Sequence, residues 1–271
     1  MATNVLFVDV DGTLLALRDG RQYVPSSALA ALAETRRKGN RVYLCTGRSL
    51  AESRVIGDVP MDGVICAAGS VVMDGSTLVS EHGLGGAAVR EVVLGLRERG
   101  VTFYLECDDG LYFEDAYLSF ARSSWGVAGN EAWEALVHPV EEVNPERVRK
   151  LCFRSLGGTS FQQIEEEFGA DFTVVRSSWD SPEAATGELS PRGVNKATAI
   201  DELLGHLALS DVRTFGFGDS LNDVAMLERC DEAIVMGGAR HDISSYATYV
   251  TGAPHEDGIA RAMRHFGLVC A

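Results

Sequence analysis

Val5-Leu6-Phe7-Val8-Asp9-Val10-Asp11-Gly12-Thr13-Leu14 stands near the beginning of a 271-residue chain, and its reading decides the fold. Val5 to Val8 are apolar without alternation, the pattern of a strand buried on both faces within a parallel sheet. The run breaks into two carboxylates two residues apart, followed by Gly12 and Thr13. In open α/β sheets ligands lie beyond the carboxyl ends of the strands, so acids here stand where chemistry is done. Asp before Gly is also a common turn former that merely closes a strand. This stretch alone leaves both readings open.

Working outward, Pro25-Ser26-Ser27 opens an Ala/Leu-rich helix that closes on Arg36-Arg37-Lys38-Gly39, with cations in its last turn and Gly beyond its end. A second apolar run, Val42 to Cys45, ends in Thr46-Gly47-Arg48-Ser49; a helix over about Leu50 to Ile56 and a third run, Val64 to Ala67, follow. This βαβαβ alternation predicts a doubly wound, Rossmann-like parallel sheet with right-handed crossovers. The pattern then changes. A hairpin is expected around Asp74-Gly75, a helix over Gly86 to Arg99, strands at Val101–Leu105 and Leu111–Phe113 about an Asp108-Asp109-Gly110 turn, a strand near Lys150–Arg154, a helix near Ser160–Phe168 and a strand at Phe172–Val175. Hairpins mixed with helices describe an inserted α+β domain over residues 83–189, splitting the core into 1–82 and 190–271. Gly83, Gly85, Gly86 and Gly193 suit a hinge between them. The alternation resumes with a helix from Val194 to about Leu207, then Val212 to Gly218 ending in Asp219-Ser220-Leu221-Asn222-Asp223, a further apolar run at Ala233–Met236, and a last helix over Ile259 to Phe266.

Composition narrows the function. Hydrophobic content is 46% and charged content 23%, as in ordinary globular proteins. No apolar run approaches the roughly 18 residues of a membrane span, and Asp9 interrupts the only signal-like stretch, so a cytoplasmic protein without membrane contact is expected. A net charge of -15 argues against nucleic acid as a partner, since no Lys/Arg stripe is available to neutralise phosphates. It leaves room for one small phosphorylated substrate held by local cations. The six cysteines form no CxxC pair and read as reduced, mostly buried thiols. Gly216-Phe217-Gly218 lacks the third glycine of a dinucleotide fingerprint. Glu165-Glu166-Glu167 is most simply a solvated helix face, and Trp125, Trp133 and Trp179 are expected to pack the inserted domain.

Three strand ends present polar groups to one edge of the predicted sheet: Asp9 with Asp11, then Thr46, then Asp219 with Asn222 and Asp223. Lys196 adds a cation near the start of a helix, a position the helix dipole disfavours unless an anion answers it. Carboxylates so concentrated repel one another unless a hard divalent cation sits among them, and oxygen ligands without His favour Mg²⁺. Mg²⁺ commonly partners phosphate, for which Thr46 and Lys196 are suitable donors.

At these residues the chain resembles the haloacid dehalogenase superfamily, whose hydrolases are mostly aspartate-nucleophile phosphatases. Asp9-Val10-Asp11-Gly12-Thr13 matches the DxDGT motif, Thr46 the strand-end Thr/Ser, Lys196 the third-motif Lys, and Gly218-Asp219-Ser220-Leu221-Asn222-Asp223 the GDxxND motif. The insertion is similar to the α+β cap of the Cof-type subfamily. One departure stands out: that subfamily commonly carries Asn-Gly-Ala where this chain has Ala68-Gly69-Ser70.

The resemblance implies a Mg²⁺-dependent phosphatase of small phosphorylated metabolites, sugar phosphates first. Asp9 would be the nucleophile and Asp11 the general acid and base. Thr46 and Lys196 would hold the phosphoryl oxygens, with Gly12, Thr13, Gly47, Arg48 and Asn222 contributing to phosphate or substrate binding. Asp9, Asp11, Asp219 and Asp223 would hold or support the metal. Arg48 equally suits a helix cap. A phosphomutase of the same superfamily and a non-catalytic metabolite-binding module are the alternatives, and a monomer or homodimer is expected.

Overall fold

The structure is a computed structural model describing residues 3–19, 21–177, 185–209, 211–239 and 243–270. Trp179 lies outside the described residues. The chain divides into two compact units, one of Met1–Thr46, Asp58–Ser80 and Lys196–Ala271, the other of Gly47–Gly57 and Glu81–Asn195. The segment after Thr46, placed with the core in the sequence reading, thus groups with the insertion.

The first unit is built on an eight-stranded sheet in the order Tyr249–Val250, Glu232–Val235, Val212–Gly218, Thr3–Val8, Arg41–Cys45, Gly63–Cys66, Val71–Asp74 and Thr77–Glu81. The first six strands run parallel, and Val71–Asp74 joins antiparallel. Val5 to Val8 are fully buried, as the unbroken apolar run requires of a central strand. One face packs Val5, Phe7, Tyr43 and Ile65 against Ala199, Ile200 and Leu203 of the helix Lys196–Leu207. The helix Ser26–Arg37 ends as its cations and following glycine predict. The helix after Thr46 is shorter than expected, Leu50–Ser53, and starts in a capping box made by Ser49 and Glu52. A small hairpin, Ala16–Arg18 with Arg21–Tyr23, follows the DxDGT stretch.

The second unit holds a six-stranded sheet in the order Val137–Pro139, Leu111–Phe113, Val101–Glu106, Lys150–Ser155, Thr186–Pro191 and Phe172–Arg176. All pairings are antiparallel except Val137–Pro139 with Leu111–Phe113. Alternation sorts its two faces. Phe103, Leu105, Leu151, Phe153 and Leu189 pack under the helices Gly86–Glu98 and Phe161–Phe168. On the other face Tyr104, Phe113 and Cys152 join Tyr117 of the helix Asp115–Ser124, Trp125 that caps its end, and Trp133 of the helix Glu131–Glu134. The remainder of that face is polar and carries Glu106, Lys150 and Glu188.

All six cysteines are free thiols, five of them buried and Cys270 exposed. Among the described residues no helix is long and apolar enough to cross a membrane.

Candidate active site

The topology decides where polar strand ends meet. Thr3–Val8 has Val212–Gly218 on one side and Arg41–Cys45 on the other, so the strand order reverses beside it. Such a switch point opens a crevice at the carboxyl ends of the strands. Asp9 and Asp219 both follow strands that flank this crevice, and the Asp9 amide extends the pairing by donating to the Phe217 carbonyl at 3.0 Å. Thr46 directly follows the neighbouring strand; its amide donates to the Ile65 carbonyl at 2.9 Å and its own carbonyl accepts from Ala68 at 3.1 Å. Its side chain is buried.

Lys196 binds the site together. Its ammonium lies 2.7 Å from Asp9 Oδ1 and 2.5 Å from Asp223 Oδ1, and all three side chains are buried. Asp223 uses its other oxygen to accept the backbone amides of Asp219 and Ser220, both at 3.0 Å. It therefore orients both Lys196 and the turn that presents Asp219. Gly218 is required for this approach, since a Cβ there would stand 2.5 Å from the Asp223 Cβ. Gly12 has φ +81°, and a Cβ on it would collide with the Asp219 carboxylate. Thr13 donates its hydroxyl to Asp219 Oδ1 at 3.3 Å. DxDGT and GDxxND are thus fitted to each other through Gly12, Thr13 and Asp219.

The electrostatics follow from three acids sharing one ammonium. Burial pushes the Asp9 pKa well above the ordinary carboxylate range, and Asp223 adds to it while Lys196 opposes. Asp219 is pushed up to about 7 by burial and then by Asp223. Burial works against the Lys196 ammonium, but Asp223 and Asp9 outweigh it and hold its pKa above the usual value. Oxygen atoms of Asp9, Asp219 and Asp223 lie within 4.8 Å of one another. An all-oxygen set with excess negative charge fits a hard divalent cation.

The Asp11 carboxylate does not join this group; it is exposed and accepts from the Gln22 amide at 3.3 Å, a partner supplied by the small hairpin. The Asn222 side-chain oxygen accepts from the Ser220 hydroxyl at 2.6 Å. Gly47 and the half-buried Arg48 belong to the second unit. Sequence reasoning gave no role to Ser220, whose backbone amide holds Asp223, nor to Gly218. The signal for Gly218 was present: a glycine between a buried strand and an acidic turn marks a close approach.

A family model for haloacid dehalogenase-like hydrolases matches residues 6–263. The 5-amino-6-(5-phospho-D-ribitylamino)uracil phosphatase YcsE of Bacillus subtilis is 25% identical over 268 residues, covering 97% of this chain and 96% of that protein. The HMP-PP phosphatase of Citrobacter koseri is 25% identical over 242 residues, covering 85% and 83% respectively. Among solved structures, a haloacid dehalogenase-like hydrolase from B. subtilis superposes with a TM-score of 0.80 at 24% identity, over 96% of this chain and 99% of that one. The subclass IIB sugar phosphatase BT4131 gives a TM-score of 0.77 at 23% identity, over 99% and 100%. These structural likenesses establish the shared fold.

Proposed function

Because the chain belongs to the haloacid dehalogenase-like hydrolases, we propose that it is a Mg²⁺-dependent phosphatase of small phosphorylated metabolites, sugar phosphates first, working through an aspartyl-phosphate on Asp9. The observation that carries this reading is Lys196 held between Asp9 and Asp223, with Asp219 completing a trio of converging acids. The names of the two phosphatase relatives support the reaction class.

Lys196 fixes the Asp9 carboxylate at 2.7 Å and opposes the protonation that burial favours, aiming the group for in-line attack on phosphorus. Covalent capture divides one very slow hydrolysis into two displacements. Asp11 protonates the departing alcohol, then takes a proton from the water that cleaves the acyl phosphate. Its exposure suits a group that must exchange protons with both. Thr46 and Lys196 hold phosphoryl oxygens, with Gly12, Thr13, Gly47, Arg48 and Asn222 completing the phosphate and substrate contacts. Asp9 and Asp219 would hold Mg²⁺, with Asp223 in support because its oxygens are engaged by Lys196 and two amides. When bound, the cation neutralises the nucleophile and the phosphoryl charge. The insertion, residues 83–189, acts as a cap that excludes bulk water and selects the leaving group.

The test is phosphate release from a panel of esters with and without Mg²⁺, for wild type and Asp9→Asn. Mg²⁺-dependent turnover is expected, falling about 10³-fold or more in the variant, as when a nucleophile is removed. Undiminished activity in Asp9→Asn overturns the assignment. A folded protein that releases phosphate from no ester points instead to a phosphomutase or a binding module.

A further inference from the structure

The second unit buries a lysine of its own. Lys150 Nζ lies 3.1 Å from Glu106 Oε1, 3.1 Å from Glu188 Oε2 and 2.6 Å from the carbonyl oxygen of Gly47. These three contacts use all three donors of the ammonium. The Lys150 and Glu106 side chains are 3% and 1% exposed. Lys150 pairs directly with Glu106 across two antiparallel strands, and Glu188 stands on the strand at the other side of Lys150–Ser155. The ammonium is therefore held by the central strands of a sheet rather than by loops.

Stability does not account for this cluster. Replacing buried ion pairs by apolar side chains is often neutral or favourable, because burial strips the charges of water. Here two acids share one ammonium. Glu106 Oε1 also takes the Tyr104 hydroxyl at 3.0 Å and lies 3.5 Å from the Cys152 thiol, while the buried Oε2 has no hydrogen-bond partner among the described residues. The arrangement holds the Lys150 ammonium rigidly against one target, the Gly47 carbonyl. Gly47 opens the Gly47–Gly57 segment, which groups with this sheet and continues into the Ser49–Glu52 capping box. It is also bonded covalently to Thr46.

We infer that Lys150 is a positioning residue: by fixing the Gly47 carbonyl it sets the main chain of Thr46-Gly47-Arg48 and so the phosphate contacts made there. The inference rests on the phosphatase reading, in which Thr46 meets phosphate. Glu106 and Glu188 aim the ammonium, and the Gly47 bond transmits the position. A displacement of about 1 Å in such a contact costs on the order of 10²-fold in rate.

The test uses the full chain with Mg²⁺ and p-nitrophenyl phosphate, and inorganic phosphate as competitive inhibitor. Lys150→Met leaves Glu106 buried and unpaired and is open to misfolding, so it is measured beside the double variant Lys150→Met/Glu106→Gln, which removes both charges. Both variants are expected to lose about 10- to 100-fold in kcat/KM, with weaker inhibition by phosphate, while the double variant melts cooperatively near wild type. A double variant with wild-type kcat/KM and wild-type phosphate inhibition overturns the inference, because Lys150 then serves only to neutralise Glu106. Absence of turnover in the wild-type protein overturns the phosphatase reading itself, and this inference with it.

Discussion

The two units each bury one lysine between two carboxylates, yet only one of the two clusters is written into a motif. In the first unit Lys196 joins Asp9 and Asp223, and a third acid, Asp219, converges on the same point. In the second, Lys150 joins Glu106 and Glu188 and spends its remaining donor on the Gly47 carbonyl. The Lys196 cluster stands at the end of parallel strands, and its three converging carboxylates exceed the charge of the one ammonium, as suits a divalent cation. The Lys150 cluster lies in the middle of an antiparallel face and its ammonium is fully engaged by protein. Under the proposed function, like chemistry serves reaction at a strand end and placement within a sheet.

The comparison is broken most directly by removing each lysine. Lys196→Met leaves Asp9 and Asp223 facing each other in a buried site and should cost about 3–5 kcal/mol in the absence of divalent cation, as for a broken buried ion pair. Lys150→Met should cost less, because the Glu188 side chain is 18% exposed and regains water. Urea unfolding of the two variants checks the order, and an equal or reversed order removes the distinction.

Mg²⁺ sharpens it next. At a hundredfold excess over its Kd the ion should stabilise wild type by about 2.7 kcal/mol. The gain should survive in Lys150→Met/Glu106→Gln and vanish when Asp9 and Asp219 are both changed to Asn. Thermal melts against Mg²⁺ concentration measure this, and a gain retained in the Asp9/Asp219 variant would place the cation elsewhere.

The pH response separates the clusters further. Glu106 is pushed up to about 8, first by burial, with Lys150 pulling against it and Glu52 and Glu188 adding to it. Tyr104 and Cys152 also face it. A carboxyl whose folded pKa lies above its unfolded one stabilises the fold when protonated. That stability is complete below about pH 4.5 and is lost as pH rises towards 8. One such group changes stability by at most about 1.4 kcal/mol per pH unit. Melting in saturating Mg²⁺ from pH 5 to 9 should therefore fall less steeply for Glu106→Gln than for wild type. Parallel curves would mean that Glu106 titrates normally.

The smallest effect concerns the turn after the third core strand. Ala67 and Ala68 take φ +46° and +56°, and Gly69 follows at +112°. L-residues other than Asn and Asp reach this region at a cost of roughly 1–2 kcal/mol each. Asn tolerates it, which gives a physical reason for the Asn that the Cof-type subfamily commonly carries where this chain has Ala68. Ala68→Asn should raise stability by up to about 1 kcal/mol, or roughly 2–4 °C in Tm. An unchanged or lower Tm would show that the turn is held by its neighbours at no local cost.

Much of this was legible in order along the chain. Unbroken apolar runs announced the parallel strands, capping residues bounded the helix Ser26–Arg37, and the acids at the strand ends marked the site. Other elements left no such trace. Thr186–Pro191 reads TGELSP, with a glycine and a proline and little β-propensity, yet it lies between two partner strands that supply its ladder. The helices Asp115–Ser124 and Glu131–Glu134 carry no clear signal along the chain, because their aromatic residues find their purpose only against Tyr104 and Phe113. The Ala16–Arg18 hairpin is too short and too exposed to show a period.

Sequence by itself determined the family, the alternating core and the residue types of the candidate site, because a strand-end acid and its following turn are local signals readable within a few residues. Only the tertiary structure decided that Asp223 is occupied by Lys196 and two amides, that Gly12 and Gly218 clear space for Asp219 and Asp223, and that Lys150 meets Gly47 across 103 residues of chain. The physical reason is that hydrogen-bond saturation and close approach are properties of groups brought together by sheet register and crossover. A chain read in order carries the donors and acceptors but not their pairing.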